Sequence, residues 1–148
     1  MFRGSSSHTL DDKGRIIIPT RFRNIIQTGG GSTIMLTQRD RCLYGYTMNE
    51  WSRLEQQIQS MANMSDSFRR FLRIFVGSAQ ECSLDKQGRV LIPPQLRQYG
   101  NLEKDVVLVG VLTHFEIWSH DNWEEENSLL EKDLQQVEVR DEIAKLGL

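Results

Sequence analysis

The stretch Thr9–Arg23, TLDDKGRIIIPTRFR, decides the fold because it occurs twice in the chain. Ser83–Arg97, SLDKQGRVLIPPQLR, aligns with it without a gap and is identical at seven of fifteen positions. Average composition would give about one identity by chance over such a length. The agreement predicts an internal repeat.

The similarity continues beyond this stretch. After a two-residue difference in loop length, Ile34–Leu36 corresponds to Val106–Leu108, and Cys42–Trp51 corresponds to His114–Trp123. Two copies of a unit of about 45–50 residues therefore account for most of the chain. The repeat predicts four segments, which are a first domain at 5–52, a helical connector at 53–80, a second domain at 81–124 and an acidic helical tail at 125–148.

Each copy has the same predicted order of strand, turn, strand, short helix and hairpin. Asp11–Arg15 is typical of a tight turn, in which the Asp side chain bonds to the turn backbone and Gly supplies a positive φ. The run Ile16–Ile18 predicts a buried strand, as does Val90–Ile92 in the second copy. Pro19 ends the first of these strands and opens a short helix.

A unit of this size has few core side chains, and a lone core of that size is marginal. We therefore expect the two copies to pair about a pseudo-two-fold axis into one shared β-barrel, which would also cover open strand edges. The predicted fold class is mainly β with helices (α+β).

Three helical regions lie outside the repeated unit. Glu50–Met61 follows Asn49, a plausible N-cap, and Ser65–Val76 carries phenylalanines and Leu72 at helical spacing. Asn122–Leu146 predicts an acidic helical region with a thinner apolar stripe. We expect Trp51 and Trp123, each of which closes its repeat, to be core anchors rather than stacking platforms.

Charge is distributed unevenly along the chain. The net charge is −2, but residues 121–148 hold nine acidic and three basic residues, a net −6, so residues 1–120 carry +4. Such a split is compatible with an anionic partner, although it does not demand one. The sequence has no apolar run of bilayer length and no signal-like N-terminal segment. With only Cys42 and Cys82 it has no disulfide framework, so we expect a cytoplasmic protein with no membrane partner.

The best candidate site is the turn that ends in arginine. Arg15 and Arg89 follow the two turns, and Asp11 and Asp85, four residues earlier, could hold each guanidinium in place. An oriented arginine can bind phosphate oxygens or the O6/N7 edge of guanine. The alternative is an Asp–Arg pair that only staples a hairpin, but two copies favour a shared cationic surface.

Enzymatic chemistry has little support in this sequence. His114, His120 and Asp121 are the candidate catalytic residues for a hydrolase, but the sequence has no nucleophile with a supporting motif to act with them. The histidines lack metal-ligand spacing. We expect no enzymatic activity, no cofactor, no metal and no small-molecule substrate.

The opening Met1–Gly4, the segment Leu10–Arg15 and the segment Leu84–Pro93 together resemble the bacterial MraZ family over nearly the whole chain. The resemblance implies two SpoVT-AbrB domains in a swapped-hairpin barrel and subunits joined in a ring. It also implies DNA binding at the promoter of the division and cell-wall gene cluster. The family's Asp-x-x-x-Arg motif falls on Asp11 with Arg15 and on Asp85 with Arg89.

The function expected from these observations is that of a nucleoid-associated, sequence-specific transcriptional regulator, acting as a repressor on duplex DNA. Arg15, Lys13 and Arg3 would face the duplex, with Arg89 and Lys86 at the second turn. A homo-oligomeric ring would engage repeated DNA boxes through effective concentration. The alternatives are a ring-forming protein scaffold with only non-specific DNA contact, and an antitoxin-like DNA binder, which usually has one copy of this fold.

Overall fold

The computed structural model describes all residues from 1 to 148. The chain is α+β, and none of its helices combines the length and apolar character needed to cross a bilayer. The strands are β1 (Ser5–Thr9), β2 (Arg15–Ile17), β3 (Thr33–Arg39), β4 (Cys42–Thr47), β5 (Gln80–Ser83), β6 (Arg89–Leu91), β7 (Asp105–Val111) and β8 (His114–Ser119). The helices are α1 (Thr20–Thr28), α2 (Met48–Ser60), α3 (Asp66–Phe75), α4 (Pro94–Tyr99), α5 (His120–Asp133) and α6 (Val137–Ala144).

The two repeats exchange their first strands. Six strands form one antiparallel sheet in the order β1-β7-β8-β4-β3-β5, and β2 pairs with β6 in a separate two-stranded ribbon. Strand β1 of the first repeat therefore pairs with the hairpin of the second, and β5 of the second pairs with the hairpin of the first. The predicted repeated α+β fold with swapped hairpins is confirmed.

The strand registers define a pseudo-two-fold axis. Ile16 and Val90, which are equivalent in the two repeats, lie opposite each other at the centre of the ribbon. Tyr44 and Glu116, also equivalent, lie opposite each other where β4 pairs with β8. The axis therefore passes through both pairs and relates the two turns that end in arginine.

The main core lies between the six-stranded sheet and the ribbon. Eighteen buried side chains form it, contributed by both repeats. From the ribbon come Ile16 and Val90, and from the short helices come Phe22 and Leu96. Because the ribbon is anchored in this core by its inner side chains, its outer face has a fixed position on the surface.

The strands do not close into the expected barrel. The six-stranded sheet keeps two edge strands, β1 and β5, and the end of β5 meets the ribbon only at the isolated bridge between Leu84 and Val90, with no continuous strand pairing between sheet and ribbon. The inner face of the sheet is covered instead by the ribbon together with α1 and α4, whose apolar side chains join the same core. The shared core exists without a continuous ring of strand hydrogen bonds.

The outer face of the sheet is covered by the helices that follow each hairpin. Trp51 of α2 and Phe75 of α3 pack on Met35 and Tyr46 in one cluster. The expectation that Trp51 anchors the core is confirmed, since it is buried there. On the second half of the sheet, α5 covers Cys42, Val107 and Trp118, and Trp123 packs against them while remaining only partly buried, so it anchors the core less completely than Trp51 does.

Helix α2 begins earlier than predicted. Its N-cap is Thr47 rather than Asn49, and the Thr47 hydroxyl accepts a hydrogen bond from the Glu50 amide. The equivalent residue Ser119 caps α5 in the same way, accepting from Asn122. A Thr or Ser with extended backbone directly after a strand satisfies the first free amides of the helix, which Asn49 cannot do from within its first turn.

The predicted helical tail Asn122–Leu146 is interrupted. Helix α5 ends at Asp133 and α6 begins at Val137. The Arg140 guanidinium donates to the Leu134 carbonyl at 2.9 Å, which satisfies an oxygen that the end of α5 leaves free. A side-chain hydrogen bond therefore stabilises the end of α5, and the interruption forms without a Gly or Pro residue.

Candidate nucleic-acid interface

The first turn is held together by one carboxylate. Asp11 Oδ1 accepts from the amides of Lys13 and Arg15, each at 2.9 Å, and Asp11 Oδ2 accepts from Arg15 Nε at 2.6 Å. The Gly14 amide donates to the Asp11 carbonyl at 3.0 Å. The predicted Asp–Arg pair is present, and it fixes the turn and the arginine at the same time.

The second turn repeats this pattern. Asp85 Oδ1 accepts from the amides of Gln87 and Arg89, each at 2.9 Å, and Asp85 Oδ2 accepts from Arg89 Nε at 2.8 Å. The Gly88 amide donates to the Asp85 carbonyl at 3.0 Å. Two sequences that share only Asp, Gly and Arg in this segment therefore give one geometry.

Both turn carboxylates are stabilised in their ionised form. The hydrogen bond from the Arg15 amide, with further help from the Arg15 side chain, lowers the pKa of Asp11 to about 2. The corresponding bond from the Arg89 amide lowers the pKa of Asp85. Hydrogen bonds to a carboxylate favour its charged form, so both ion pairs are complete at neutral pH.

Arg15 and Arg89 lie on the outer face of the ribbon. Each side chain is 28% exposed, and the ribbon's inner residues Ile16 and Val90 are fully buried. Only the Nε atom of each guanidinium is engaged by its aspartate, and the terminal Nη atoms have no hydrogen-bond partner within the chain. Each arginine is thus oriented by the fold and still has donors available for an external acceptor.

Two further arginines, which the sequence reasoning passed over, support the turns across the repeats. A side chain at Gly14 would lie 2.6 Å from the Arg97 guanidinium, and one at Gly88 would lie 2.1 Å from that of Arg23. Both glycines also have positive φ, 86° and 75°. Arg23 and Arg97 are identical in the aligned repeats, and that identity is the signal that could have indicated their role.

Of the other residues predicted to contact DNA, the two lysines lie near the ribbon arginines and Arg3 does not. Lys13 and Lys86 are exposed at the tips of the two turns, close to the paired arginines. Arg3 is exposed but lies beside the β7–β8 turn, where Phe2 bridges Leu112. Five residues lie between Arg3 and Thr9 at the end of β1, a separation of roughly 20 Å for extended chain. The structure therefore gathers the two lysines with the ribbon arginines and leaves Arg3 apart.

The prediction that Ile16–Ile18 and Val90–Ile92 are buried throughout is wrong at their central residues. Ile17 is 56% exposed and Leu91 is 54% exposed. The two segments form only a two-stranded ribbon, and successive side chains of a strand point to opposite faces. One face meets the core and the other meets solvent.

The residues that could have supported enzymatic chemistry are engaged elsewhere. His114 stacks on Tyr44 and lies 2.9 Å from Glu116 Oε2, whereas His120 is at the exposed start of α5. No group of three or more potential metal ligands is present. Burial raises the pKa of the Cys82 thiol to about 11, so little nucleophilic thiolate forms at neutral pH.

The chain matches the family model described as "MraZ protein, putative antitoxin-like" twice, over residues 1–74 and 75–141. Each match contains one of the two turns that end in arginine. The duplicated geometry of the structure and the duplicated family match therefore identify the same two halves of the chain.

Relatives that match over most or all of the chain agree with this assignment. A protein of Desulforapulum autotrophicum named "Transcriptional regulator MraZ" is 55% identical over 148 residues, which is all of both chains. One of Desulfosudis oleivorans with the same name is 49% identical over the same length. One of Syntrophobacter fumaroxidans is 45% identical over 123 residues, covering 83% of this chain and 82% of the relative. These relatives are named as regulators and not as enzymes, and with two copies of the family's domain this chain belongs to the MraZ family.

Proposed function

We propose that this protein is a sequence-specific DNA-binding transcriptional regulator whose β2–β6 ribbon enters the major groove of duplex DNA. The observation that carries the proposal is the pair of aspartate-held arginines, Arg15 and Arg89, on the outer face of that ribbon. The pseudo-two-fold axis relates them, as the strands of a duplex are related to each other.

The dimensions of the ribbon fit this role. The major groove is about 12 Å wide and admits a two-stranded antiparallel ribbon. Arginine contacts guanine O6 and N7 through two donors, and both arginines keep their Nη donors free for such contacts. Asp11 and Asp85 act as positioning residues, because each fixes the direction of its arginine without needing to touch DNA.

The remaining cationic residues are assigned to the phosphate backbone. Lys13 and Lys86 at the turn tips would contact phosphates beside the groove, where contacts set register without reading sequence. Arg3, apart from the ribbon, would contribute a weaker flanking phosphate contact. Since residues 1–120 carry only +4, a single subunit would bind weakly and several linked subunits would be needed for tight binding.

We propose a homo-oligomeric ring as the form that binds repeated DNA boxes. Helices α5 and α6 expose a row of apolar side chains, Leu129, Leu130, Leu134 and Val137. Exposed apolar side chains grouped on one segment are typical of interaction sites. A second copy of the chain is the expected occupant, and a ring requires each contact to join two different patches.

Membership of the MraZ family and this geometry together support finer assignments. We propose that the protein represses the division and cell-wall gene cluster, including its own promoter, and acts in the cytoplasm on the nucleoid. It needs no cofactor or small-molecule substrate for this role. Residues 5–52 and 81–124 would be the two DNA-binding domains, with a connector at 53–80 and an acidic tail at 125–148 that keeps DNA from other surfaces.

The proposal is tested by the affinity of the purified protein for duplex DNA from the region directly upstream of its own coding sequence. Fluorescence anisotropy should show tighter binding to this duplex than to a random duplex, and a steep decrease of affinity as salt rises. Arg15→Ala should weaken specific binding by on the order of 1–3 kcal/mol, roughly 5- to 150-fold, for each engaged site. Footprinting on the same fragment would locate the boxes.

Arg53→Ala is the matched control. Arg53 is an exposed arginine of α2 paired with Glu50, on a helix that packs on the outer face of the sheet, away from the ribbon. Its removal should leave DNA affinity unchanged. Wild-type affinity in the Arg15→Ala protein would refute the proposed interface.

A protein-binding scaffold is the second candidate, and one observation favours it. An apolar groove of about 420 Å³ lies between α2 and α3, lined by residues that include Leu54, Ile58 and Phe68. A scaffold would bind promoter and random duplex with equal affinity, whereas the regulator discriminates between them.

A further inference from the structure

The outer face of the ribbon carries apolar side chains beside its arginines. In the strand register Ile17 lies opposite Arg89, and Leu91 lies opposite Arg15. Ile17 and Leu91 are each more than half exposed, whereas the residues on both sides of them along the strands are buried in the core, namely Ile16, Ile18, Val90 and Ile92. The face is therefore a small alternating patch of two arginines and two aliphatic side chains.

The aliphatic pair has no structural partner within the chain. Ile17 and Leu91 belong to no buried cluster, and the main core contains Ile16, Ile18 and Val90 but neither of them. Exposure of an isoleucine or a leucine side chain to water is unfavourable in free energy. Both repeats nevertheless place a branched aliphatic residue at this same position. The duplicated position points to an external apolar contact on the face that carries the arginines.

The spacing of the patch matches the spacing of neighbouring base edges. Side chains directly opposite each other in an antiparallel pair are about 5 Å apart, and those two residues apart on one strand are roughly 7 Å apart. An aliphatic side chain thus lies within one or two base steps of what the arginine opposite it contacts. In the major groove the only apolar group on a base edge is the C5-methyl group of thymine.

We propose that Ile17 and Leu91 contact thymine C5-methyl groups in the major groove, next to bases contacted by Arg89 and Arg15. This inference rests on the proposed DNA-binding function and adds a preference for thymine beside the arginine-read positions. Ile17 and Leu91 are then specificity-determining residues, since they gain contact energy only where a methyl group is present.

The test uses two versions of the same upstream duplex, one amplified with thymine and one with uracil. Uracil pairs as thymine does but lacks the methyl group. Wild-type protein should bind the uracil duplex about fourfold more weakly if one contacted methyl group is absent, and about fifteenfold more weakly if two are absent. Ile17→Ser with Leu91→Ser should weaken binding to the thymine duplex by a similar factor and should no longer distinguish the two duplexes.

Val111→Ser is the matched control, because Val111 is an exposed aliphatic residue at the end of β7, outside the ribbon. It should keep the wild-type ratio between thymine and uracil duplexes. A random-sequence duplex in both forms shows whether uracil affects non-specific binding, and we expect equal affinities there.

The outcomes separate the inference from the function on which it rests. Equal wild-type affinity for both upstream duplexes, with preference over random DNA retained, would overturn the methyl contact and leave the regulator intact. An equal decrease in the double variant's affinity for both duplexes would also overturn it, since that result indicates insertion between bases rather than methyl contact. No preference for the upstream duplex in the wild type would remove the proposed function and this inference together.

Discussion

The two repeats form nearly identical turns and yet differ in the helices that follow their hairpins. In the first half, α2 and α3 both pack on the sheet through Trp51 and Phe75. In the second half, α5 is fixed by Trp123 and by the bonds from Arg41 to Glu125 and Glu126, while α6 contributes no buried residue. The turns are shaped by bonds within five residues, so they survive divergence around them. The helices depend on apolar side chains, and α6 has none buried, so the cover on the second half is smaller than that on the first.

The turns themselves differ in charge. The first contains Asp11, Asp12, Lys13 and Arg15 and is neutral, whereas the second contains Asp85, Lys86 and Arg89 and carries +1. Their hydrogen bonds are the same, so the charge difference lies entirely in the exposed tip residues. The proposed interface is therefore symmetric in geometry and asymmetric in its attraction to phosphate.

The largest predicted effect is on stability, and it distinguishes the helices that pack on the first half of the sheet from those on the second half. Phe75→Ala should lower the free energy of unfolding by about 3–5 kcal/mol, because it removes a buried ring packed on Tyr46 and Trp51. Ending the chain at Asp133, which removes exposed α6, should change it by less than about 0.5 kcal/mol. Urea unfolding followed by circular dichroism measures both. Equal decreases would show that α6 is packed as firmly as α3.

The next effect concerns the core near the pseudo-two-fold axis. Gly45 pairs with Phe115, whereas the equivalent pair across the axis is Leu43 with Ile117. A Cβ atom at Gly45 would lie 2.3 Å from the Phe115 ring. Gly45→Ala should therefore destabilise the protein by about 1–3 kcal/mol through overpacking.

Adding Phe115→Leu to Gly45→Ala should recover part of that stability, because the smaller side chain makes room for the new methyl group. The coupling measured in a double-mutant cycle should reach about 0.5–3 kcal/mol. Phe22→Leu is the control, since Phe22 packs on Phe115 but is not among the atoms nearest to Gly45. Additive effects in the Phe115 cycle would contradict this account of the asymmetry.

Exchanging the turn tips should change DNA affinity in opposite directions. Asp12→Lys with Lys13→Gln gives the first turn the second's sequence and adds one positive charge, so affinity should rise a few-fold. Lys86→Asp with Gln87→Lys does the reverse and should weaken binding. The slope of log affinity against log salt should change by about 1 in each case. Unchanged slopes would mean that the tips lie outside the DNA contact.

The smallest effect is the titration of the two turn carboxylates. Carboxyl NMR should place the pKa of Asp11 at about 2, and that of Asp85 below its ordinary value. Because a lowered native pKa stabilises the ionised form, the Asp11 contribution to stability is present above about pH 4 and disappears as pH falls toward about 2. Arg15→Ala should raise the Asp11 pKa only partway, since the backbone amide of residue 15 remains. Full return to the ordinary value would contradict the dominant role of that amide.

The repeat, the turns and the need for pairing could be predicted because they depend on local residues. Asp, Gly and Arg at fixed spacing specify the turn bonds, and a unit too small to bury a core must find a partner. These features were visible in Thr9–Arg23 and Ser83–Arg97 without any knowledge of the tertiary structure.

Features that depend on contact between the repeats were not predictable in this way. The exposure of Ile17 and Leu91 follows from their place in a two-stranded ribbon, and a run of three aliphatic residues does not reveal which one faces outward. The support of Gly14 by Arg97 joins residues of different repeats. Barrel closure failed as a prediction because helices α1 and α4 complete the core that further strand pairing would have enclosed.

The exchange of strands between repeats also determines the order in which parts of this chain can fold during translation. Strand β1 pairs with residues 105–109, which are synthesised roughly 100 residues later. Until that segment leaves the ribosome, Ser5–Thr9 has no strand to pair with, and Gly14 in the turn at Asp11 lacks the Arg97 side chain that packs behind it. On the proposed interface, a nascent chain halted after the first repeat would lack β6 and Arg89, and with them half of the ribbon, so we expect binding to DNA to require translation through the second turn.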